Sequence, residues 1–275
     1  MPTIAPPGTP AAPRVETPAE KRLNVIWGKG PDTQQLTLLR TPRADQEGVT
    51  GQLGDKIRVV TGQQTYKHNH YTDDQFFKHD PKKGVLTNAY GQRLLRVSED
   101  FLVAILGGLE DELGDAAGEV MYKCGYEWGL EDMSAFTPRV QAEFELAVNK
   151  MNMGLLLETW WWPLQIEGWG AWNYDLRQGK QGLIFVDLFE SAVAQSLGNV
   201  GKVVCYFYAG LFAAVFSVLA RRPLSGIEIQ CYSMGEDHCK FLIATEKRVN
   251  AAAFWRQEGA TFKDIQKKLN NAVQG

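Results

Sequence analysis

Positive charge is not in excess in this sequence. Lys and Arg total 29 against 32 Asp and Glu, a net charge of −3 over 275 residues. That balance gives no electrostatic case for nucleic-acid binding, which a basic stripe would signal. No basic segment leads into an apolar core of the secretory kind. No P-loop motif occurs and no helix-turn-helix partner domain follows. Gly168-Trp169-Gly170 is half of a dinucleotide fingerprint, without the third glycine or the strand–turn–helix setting that fingerprint needs. Neither a nucleophile–base pair nor an open metal site can be placed, so the sequence leans against catalysis. Cysteine is scarce, with four in the chain. These read as reduced thiols of a cytoplasmic protein rather than as a disulfide framework.

What is present is ordinary globular composition, 44% hydrophobic and 22% charged, enough for one or two domains with a sizeable core. Residues 1–20 hold six of the 12 prolines and read as a disordered tail or tether. Residues 21–85 read as a β-rich extension, with strands in RLNVIWG, QQLTLLR and DKIRVVTG between turn signals. His68 and His70 share a strand face there, but no third ligand stands near, so they read as exposed polar residues. Residues 86–246 form the expected main domain, and 247–275 a helical tail. Its first helix starts near Ser98 as N-cap, with Leu102, Ile105, Leu106, Leu109 and Leu113 on one face. A second helix carries Ala117, Val120, Met121, Cys124 and Trp128, with Cys124 as a small core residue. A third carries Val140, Phe144, Ala147, Val148 and Met151. Gly259 then breaks the helical tail, and Thr261 caps a last helix bearing Phe262, Ile265 and Leu269.

Aromatics are concentrated. Five tryptophans, Trp160, Trp161, Trp162, Trp169 and Trp172, fall within 13 positions. Pro163 and the glycines around them rule out one long helix and predict strands with a bend. Trp160 and Trp162 would then share a face. Rings with a polar N–H suit an apolar or planar ligand. Trp160, Trp162, Trp169 and Trp172, with Tyr206 and Tyr208 on the helix that follows, are the expected ligand wall. After them GLIFVDLFESAVAQSLG reads as a strand running into a helix. Val203 to Ala220 is an uncharged run that meets the lower length limit for a membrane span. Its small residues, Ala209, Gly210, Ala213, Ala214 and Ser217, fit instead a buried helix packed closely inside a domain.

The remaining three cysteines bracket that helix and the strands after it. Cys205 precedes Glu228 by 23 positions, Glu228 precedes Cys231 by three, and Cys231 precedes Cys239 by eight. Three thiolates and a carboxylate complete a tetrahedral donor set for zinc and leave no position open for water, which makes the site structural. An odd spacing puts Glu228 and Cys231 on opposite faces of a regular strand. A β-bulge or a late strand start is therefore expected between them, followed by a hairpin loop of three or five residues.

This pattern resembles the 4-vinyl reductase domain family, which includes the sensor halves of aromatic-responsive transcriptional activators. The carriers are the Cys before an aromatic Gly/Ala-rich helix, the Glu-x-x-Cys strand and the Gly-x-x-x-Cys hairpin. The resemblance implies an α+β fold, with a mainly antiparallel sheet packed against a helical layer and an internal apolar pocket. It also implies zinc at Cys205, Glu228, Cys231 and Cys239, which would pin helix to hairpin. A related trafficking-complex fold holds an acyl chain. The sensors' Trp position falls on Ile184 and their His has no counterpart, so phenol sensing is not implied. The expected function is non-enzymatic binding of an apolar or planar small molecule, a tetrapyrrole or lipid among the candidates. The alternative is a 4-vinyl-reductase-like enzyme, or a carrier factor in chlorophyll or bacteriochlorophyll biosynthesis or photosystem assembly. A homodimer is expected, through the small-residue helix or the Pro-rich tail.

Overall fold

The computed structural model describes residues 57–60, 65–68 and 76–274. Residues 1–20 and the strands expected in RLNVIWG and QQLTLLR lie outside them. The strand in DKIRVVTG is β1 (Ile57–Val60), which pairs antiparallel with β2 (Thr65–His68). Next come β3 (Phe77–Asp80), β4 (Val85–Asn88) and β5 (Arg93–Leu94), a three-stranded antiparallel sheet. Asn88 Oδ1 accepts from the backbone N–H of Tyr90 and of Gln92 and fixes the turn between β4 and β5.

Helix α1 (Asp100–Leu113) begins where Ser98 pointed, but its N-terminus has no side-chain cap. The apolar face read for it is only half used: Leu106 is buried, while Ile105 and Leu113 are exposed. Helix α2 (Ala117–Phe144) takes in the second expected helix and the start of the third in 28 residues, but it ends at a left-handed Glu145, so Ala147, Val148 and Met151, expected on the third helix, lie beyond it. Pro138 lies within it on the exposed side and does not end it. The buried face of α2 runs through Met121, Gly125, Gly129, Met133, Phe136 and Val140. Cys124 is exposed, contrary to its reading as core, because two glycines and not the neighbouring thiol face inward.

Helix α3 (Met153–Ile166) corrects the reading of the tryptophan stretch as strands. Asn152 caps it, its side chain accepting from the N–H of Gly154 and Leu155. Leu156 and Trp160, and likewise Leu157, Trp161 and Leu164, repeat at helical spacing and are buried. Pro163 cannot donate its i→i−4 hydrogen bond, but it falls in the last turn, and the chain then turns at Gly168 and Gly170 into β6 (Ala171–Asp175).

The main sheet has the order β6-β7-β9-β8, all antiparallel, with β7 (Leu183–Phe189), β8 (Ser225–Gln230) and β9 (Cys239–Ala244). Alternation assigns its faces. Ile184, Val186, Leu188, Phe241 and Ile243 join the large core with α2, α3 and α5 (Tyr206–Ala220). Leu183, Phe185, Ile229, Leu242 and Ala244 face a smaller core. Val249 and Ala252 of α6 (Glu246–Gln257) and Ile265 and Leu269 of α7 (Phe262–Gln274) fill that core. Thr261 and Asp264 cap α7 reciprocally, as expected of Thr261. The fold is α+β, as the resemblance implied. The short α4 (Ala192–Leu197), capped by Ser191, follows β7.

Helices α2 and α5 cross at backbone contact. A methyl group on Gly125 would lie 1.9 Å from the Phe207 carbonyl oxygen, and one on Gly210 would lie 2.0 Å from that of Tyr122. The small-residue helix is therefore consumed inside the chain, buried from Tyr208 to Leu219, and is not the dimer face expected of it. Among the described residues no helix is long and apolar enough to cross a membrane.

Candidate metal centre and aromatic cleft

The four expected ligands converge. Cys205 is the N-cap residue of α5. Glu228 is on β8, Cys231 lies just past its end, and Cys239 opens β9. Their donor atoms lie within 4.8 Å of one another, and all four residues are buried. The Cys205 and Cys239 sulfurs are 3.6 Å apart and those of Cys239 and Cys231 are 3.8 Å apart. Two thiolates on a tetrahedral zinc with bonds of about 2.3 Å would sit roughly 3.8 Å apart, so the donor set fits that ion. Glu228 Oε2 accepts from the Cys205 backbone N–H at 2.9 Å, while Oε1 is buried with no hydrogen bond. A buried carboxylate oxygen without a donor fits a metal bond.

The expected bulge is present. The register shifts between Glu228 and Gln230, which pair with Phe241 and Lys240. Ile227 and Ile229 both pack on the smaller core, so the slip falls after Ile229: it sets Gln230 opposite Lys240 and brings Cys231 back to the side of Glu228. The hairpin loop is a correction. Residues 231–238 connect the strands through a 3₁₀ turn at Tyr232–Met234, not a loop of three or five residues. Cys231 meets Cys239 because it has already left the ladder and its direction is set by that turn.

Without a cation the cluster is poorly solvated for charge. Burial pushes the Cys205 thiol and the Glu228 carboxyl well up. Hydrogen bonds from Cys205 and Cys239 hold the Cys231 thiol well below its ordinary value. His238 is half-buried, stacked on Phe189 and bonded through Nδ1 to Asp237 at 2.6 Å, where an exposed surface position was expected for it.

The aromatic residues form two groups. Trp161, Trp172 and Phe212 stack, with Trp161–Trp172 centroids 5.0 Å apart, and Trp160 packs edge-on to Trp172. The Trp161 Nε1–H donates to the Gly170 carbonyl, whereas Trp172 Nε1 is buried without an acceptor. In the second group Trp128, Trp169 and Phe207 pack mutually, with Trp128–Phe207 centroids 5.6 Å apart, and the Tyr208 hydroxyl donates to the Trp169 carbonyl at 2.7 Å. Trp162 packs apart, edge-on to Phe76. Tyr206 lies over Gly118 of α2.

Beside them opens a cleft of about 150 Å3, walled by Tyr90, Trp128, Phe136 and Trp160, with Asp132, Arg139 and Glu167 among its polar groups. Of the six expected wall residues Trp160 alone lines it. The sequence reading missed Asp132 and Glu167. The Trp160 indole N–H donates to Asp132 Oδ2 at 2.6 Å. Desolvation raises the Asp132 carboxyl. Desolvation, and then the nearby Asp132 charge, push Glu167 up to about 7, against a bond from the Trp169 indole.

Residues 184–245 match the 4-vinyl reductase domain. The match runs from β7 through Cys239, the last of the four expected ligands, to the end of β9, which bears out the resemblance read from the cysteine pattern. An uncharacterized protein of Methanocaldococcus jannaschii is 22% identical over 132 residues, 47% of this chain and 66% of its own length, just under two thirds. Among solved structures, the phenol-responsive sensory domain of the transcription activator PoxR with phenol is 19% identical. It has a TM-score of 0.45 over 74% of this chain and 90% of that one. A vinyl-4-reductase family protein from Methanocaldococcus jannaschii is 15% identical, with a TM-score of 0.38 over 55% of this chain and 82% of that one. Both TM-scores fall below 0.5, and what those proteins bind is not carried over.

Proposed function

We propose that this protein is a non-enzymatic small-molecule-binding protein whose 4-vinyl reductase segment is held by one structural zinc ion. The observation that carries the binding role is the cleft beside Trp160, a concave site that sets four aromatic side chains beside the polar groups of Asn88, Gln92, Arg93, Asp132, Arg139 and Glu167. The metal role rests on the sulfur spacings and on the closed Cys205, Glu228, Cys231 and Cys239 set. With four protein donors the ion ties α5 to the β8–β9 hairpin and has no place for substrate. Reduced thiols of this kind suit a cytoplasmic setting.

The ligand is an apolar or planar molecule. A cavity near 150 Å3 matches one aromatic ring. A tetrapyrrole or an acyl chain would need the Trp162, Trp169, Trp172, Tyr206 and Tyr208 side to open as well. Trp172 Nε1, buried without an acceptor, would gain one from such a ligand. A homodimer would use the apolar residues exposed on and before α1, with Phe101, Ile105 and Leu113 as its centre. Native mass spectrometry with elemental analysis tests the whole reading. One zinc per chain and a co-purifying small apolar mass are expected. A bound nicotinamide or flavin would replace it with an enzyme, and a chain carrying neither metal nor ligand would sink it.

A further inference from the structure

The polar side of the cleft has a chemistry that an apolar ligand would not use. Asp132 on α2 and Glu167 just past α3 are each held by an indole N–H, from Trp160 and Trp169. Those donors are neutral: they orient the carboxyl groups without cancelling their charge. One cation acts on Asp132: the Arg139 charge draws its carboxyl down, against the larger effect of burial. The Arg139 guanidinium carbon lies 3.5 Å from the Tyr90 ring centroid and 5.3 Å from that of Phe136, and Nη1 leans to Glu143 at 4.0 Å. Arg93, from β5, is exposed and completes the charged lining. Around the two carboxyl groups stand the rings of Trp128, Phe136 and Trp160. Ring faces carry negative potential and attract a desolvated organic cation.

We propose that this cleft binds a small organic ammonium ion, a single ring or short chain bearing a protonated amine, with Asp132 and Glu167 as its anionic partners. The inference rests on the binding role proposed for the cleft and names the ligand class. The ammonium would bond to the carboxylates while its apolar part lies against Trp128 and Trp160. Desolvation keeps Glu167 partly protonated near neutrality, so affinity should rise as the pH goes from 6 to 8 and the carboxyl ionises. Asp132, Glu167, Arg139 and Arg93 are the charged groups that line the cleft and set that dependence.

Calorimetric titration of the full chain with benzylammonium, benzyl alcohol and benzoate separates the possibilities, since the three share a ring and differ in charge. Benzylammonium should bind at least tenfold more tightly than benzyl alcohol, and more tightly at pH 8 than at pH 6. Glu167→Gln and Asp132→Asn should each weaken it about tenfold. Unchanged circular dichroism and zinc content would show that the variants fold. Equal binding of ammonium and alcohol would overturn the charge assignment and leave an apolar site. Preference for benzoate would overturn it in favour of Arg139. Variants that fold and bind benzylammonium as tightly as the parent would also overturn it. If none of the three binds and nothing co-purifies, both this inference and the binding role fall.

Discussion

Glu228 is buried and Glu167 half-buried, and both carboxyl groups are raised for the same first reason, loss of water. Their surroundings differ in one respect that decides their use. Around Glu228 the other donors are three sulfurs, all aimed at one point and sealed from solvent. Around Glu167 the neighbours are indoles, a second carboxyl and a cleft open to solvent. Convergent soft donors with no vacancy make a fixed joint. Divergent donors on aromatic walls, with room beside them, are what the proposed receptor role requires. The contrast lies in how many charged groups share one point and whether anything else can reach it.

The largest expected effect is at the joint. Cys239→Ser should release the metal and leave two thiols and a carboxyl buried without a cation. Loss of a structural metal should cost about 5 kcal/mol or more, a fall in Tm of roughly 10–20 °C. Elemental analysis and a thermal melt check both halves. A variant that lost zinc and melted within a few degrees of the parent would show that the joint is not structural.

A smaller effect is expected where α5, which starts at the joint, crosses α2, which walls the cleft. Gly210→Ala places a methyl group 2.0 Å from the Tyr122 carbonyl oxygen, on backbone that cannot rotate away. Overpacking of that kind should cost about 3 kcal/mol in urea unfolding. If the variant is as stable as the parent, the helices are not in backbone contact and the cleft wall is not fixed by the joint.

These two regions were not equally legible in the sequence. Cys205, Glu228, Cys231 and Cys239 could be read because metal chemistry restricts both residue type and spacing. The bulge followed because three is odd and strands alternate. The loop length did not, because a 3₁₀ turn at Tyr232 can redirect a side chain without any count of residues. The cleft was hidden for a different reason. Asp132 and Glu167 sit in stretches where exposed carboxylates are common, and only the crossing of α2 with α3 brings them together under Trp160. Reading Pro163 as a helix breaker turned the Trp160–Trp162 run into strands. The helical repeat of Leu157, Trp161 and Leu164 was there to correct it. Likewise the buried stripe of α2 is centred on Gly125 and Gly129, which a count of apolar side chains passes over in favour of Cys124.

Glu167→Gln sharpens the receptor half of the comparison. The folded-state value near 7 lies above the ordinary 4.5. The folded protein therefore holds a proton that the unfolded chain has released, and stability should decline as pH rises from about 4.5 to about 7. Full ionisation should cost about 3 kcal/mol at pH 8, since the value stands about 2.5 above the ordinary one and each tenfold change in proton affinity corresponds to about 1.4 kcal/mol. The glutamine variant should recover that amount and lose the slope, when melts at pH 5 and pH 8 are compared. A destabilised variant at pH 8 would mean that a resident cation already neutralises Glu167 in the parent.

The smallest effect tests whether α1 belongs to this machinery at all. Gly107 lies inside α1, and a methyl group there would meet nothing within 4 Å. With no contact to disturb, Gly107→Ala acts through backbone entropy and should stabilise by about 0.5–1 kcal/mol. Metal content and cleft binding should stay unchanged. The same substitution at Gly125 meets the Phe207 carbonyl oxygen at 1.9 Å and should do the reverse. The pair differs in sign because one helix carries a solvent-facing glycine and the other a glycine at a backbone crossing. If Gly107→Ala also destabilised the chain, something packs on the exposed side of α1. The apolar residues there, Phe101 and Ile105, would then be part of an interface in solution.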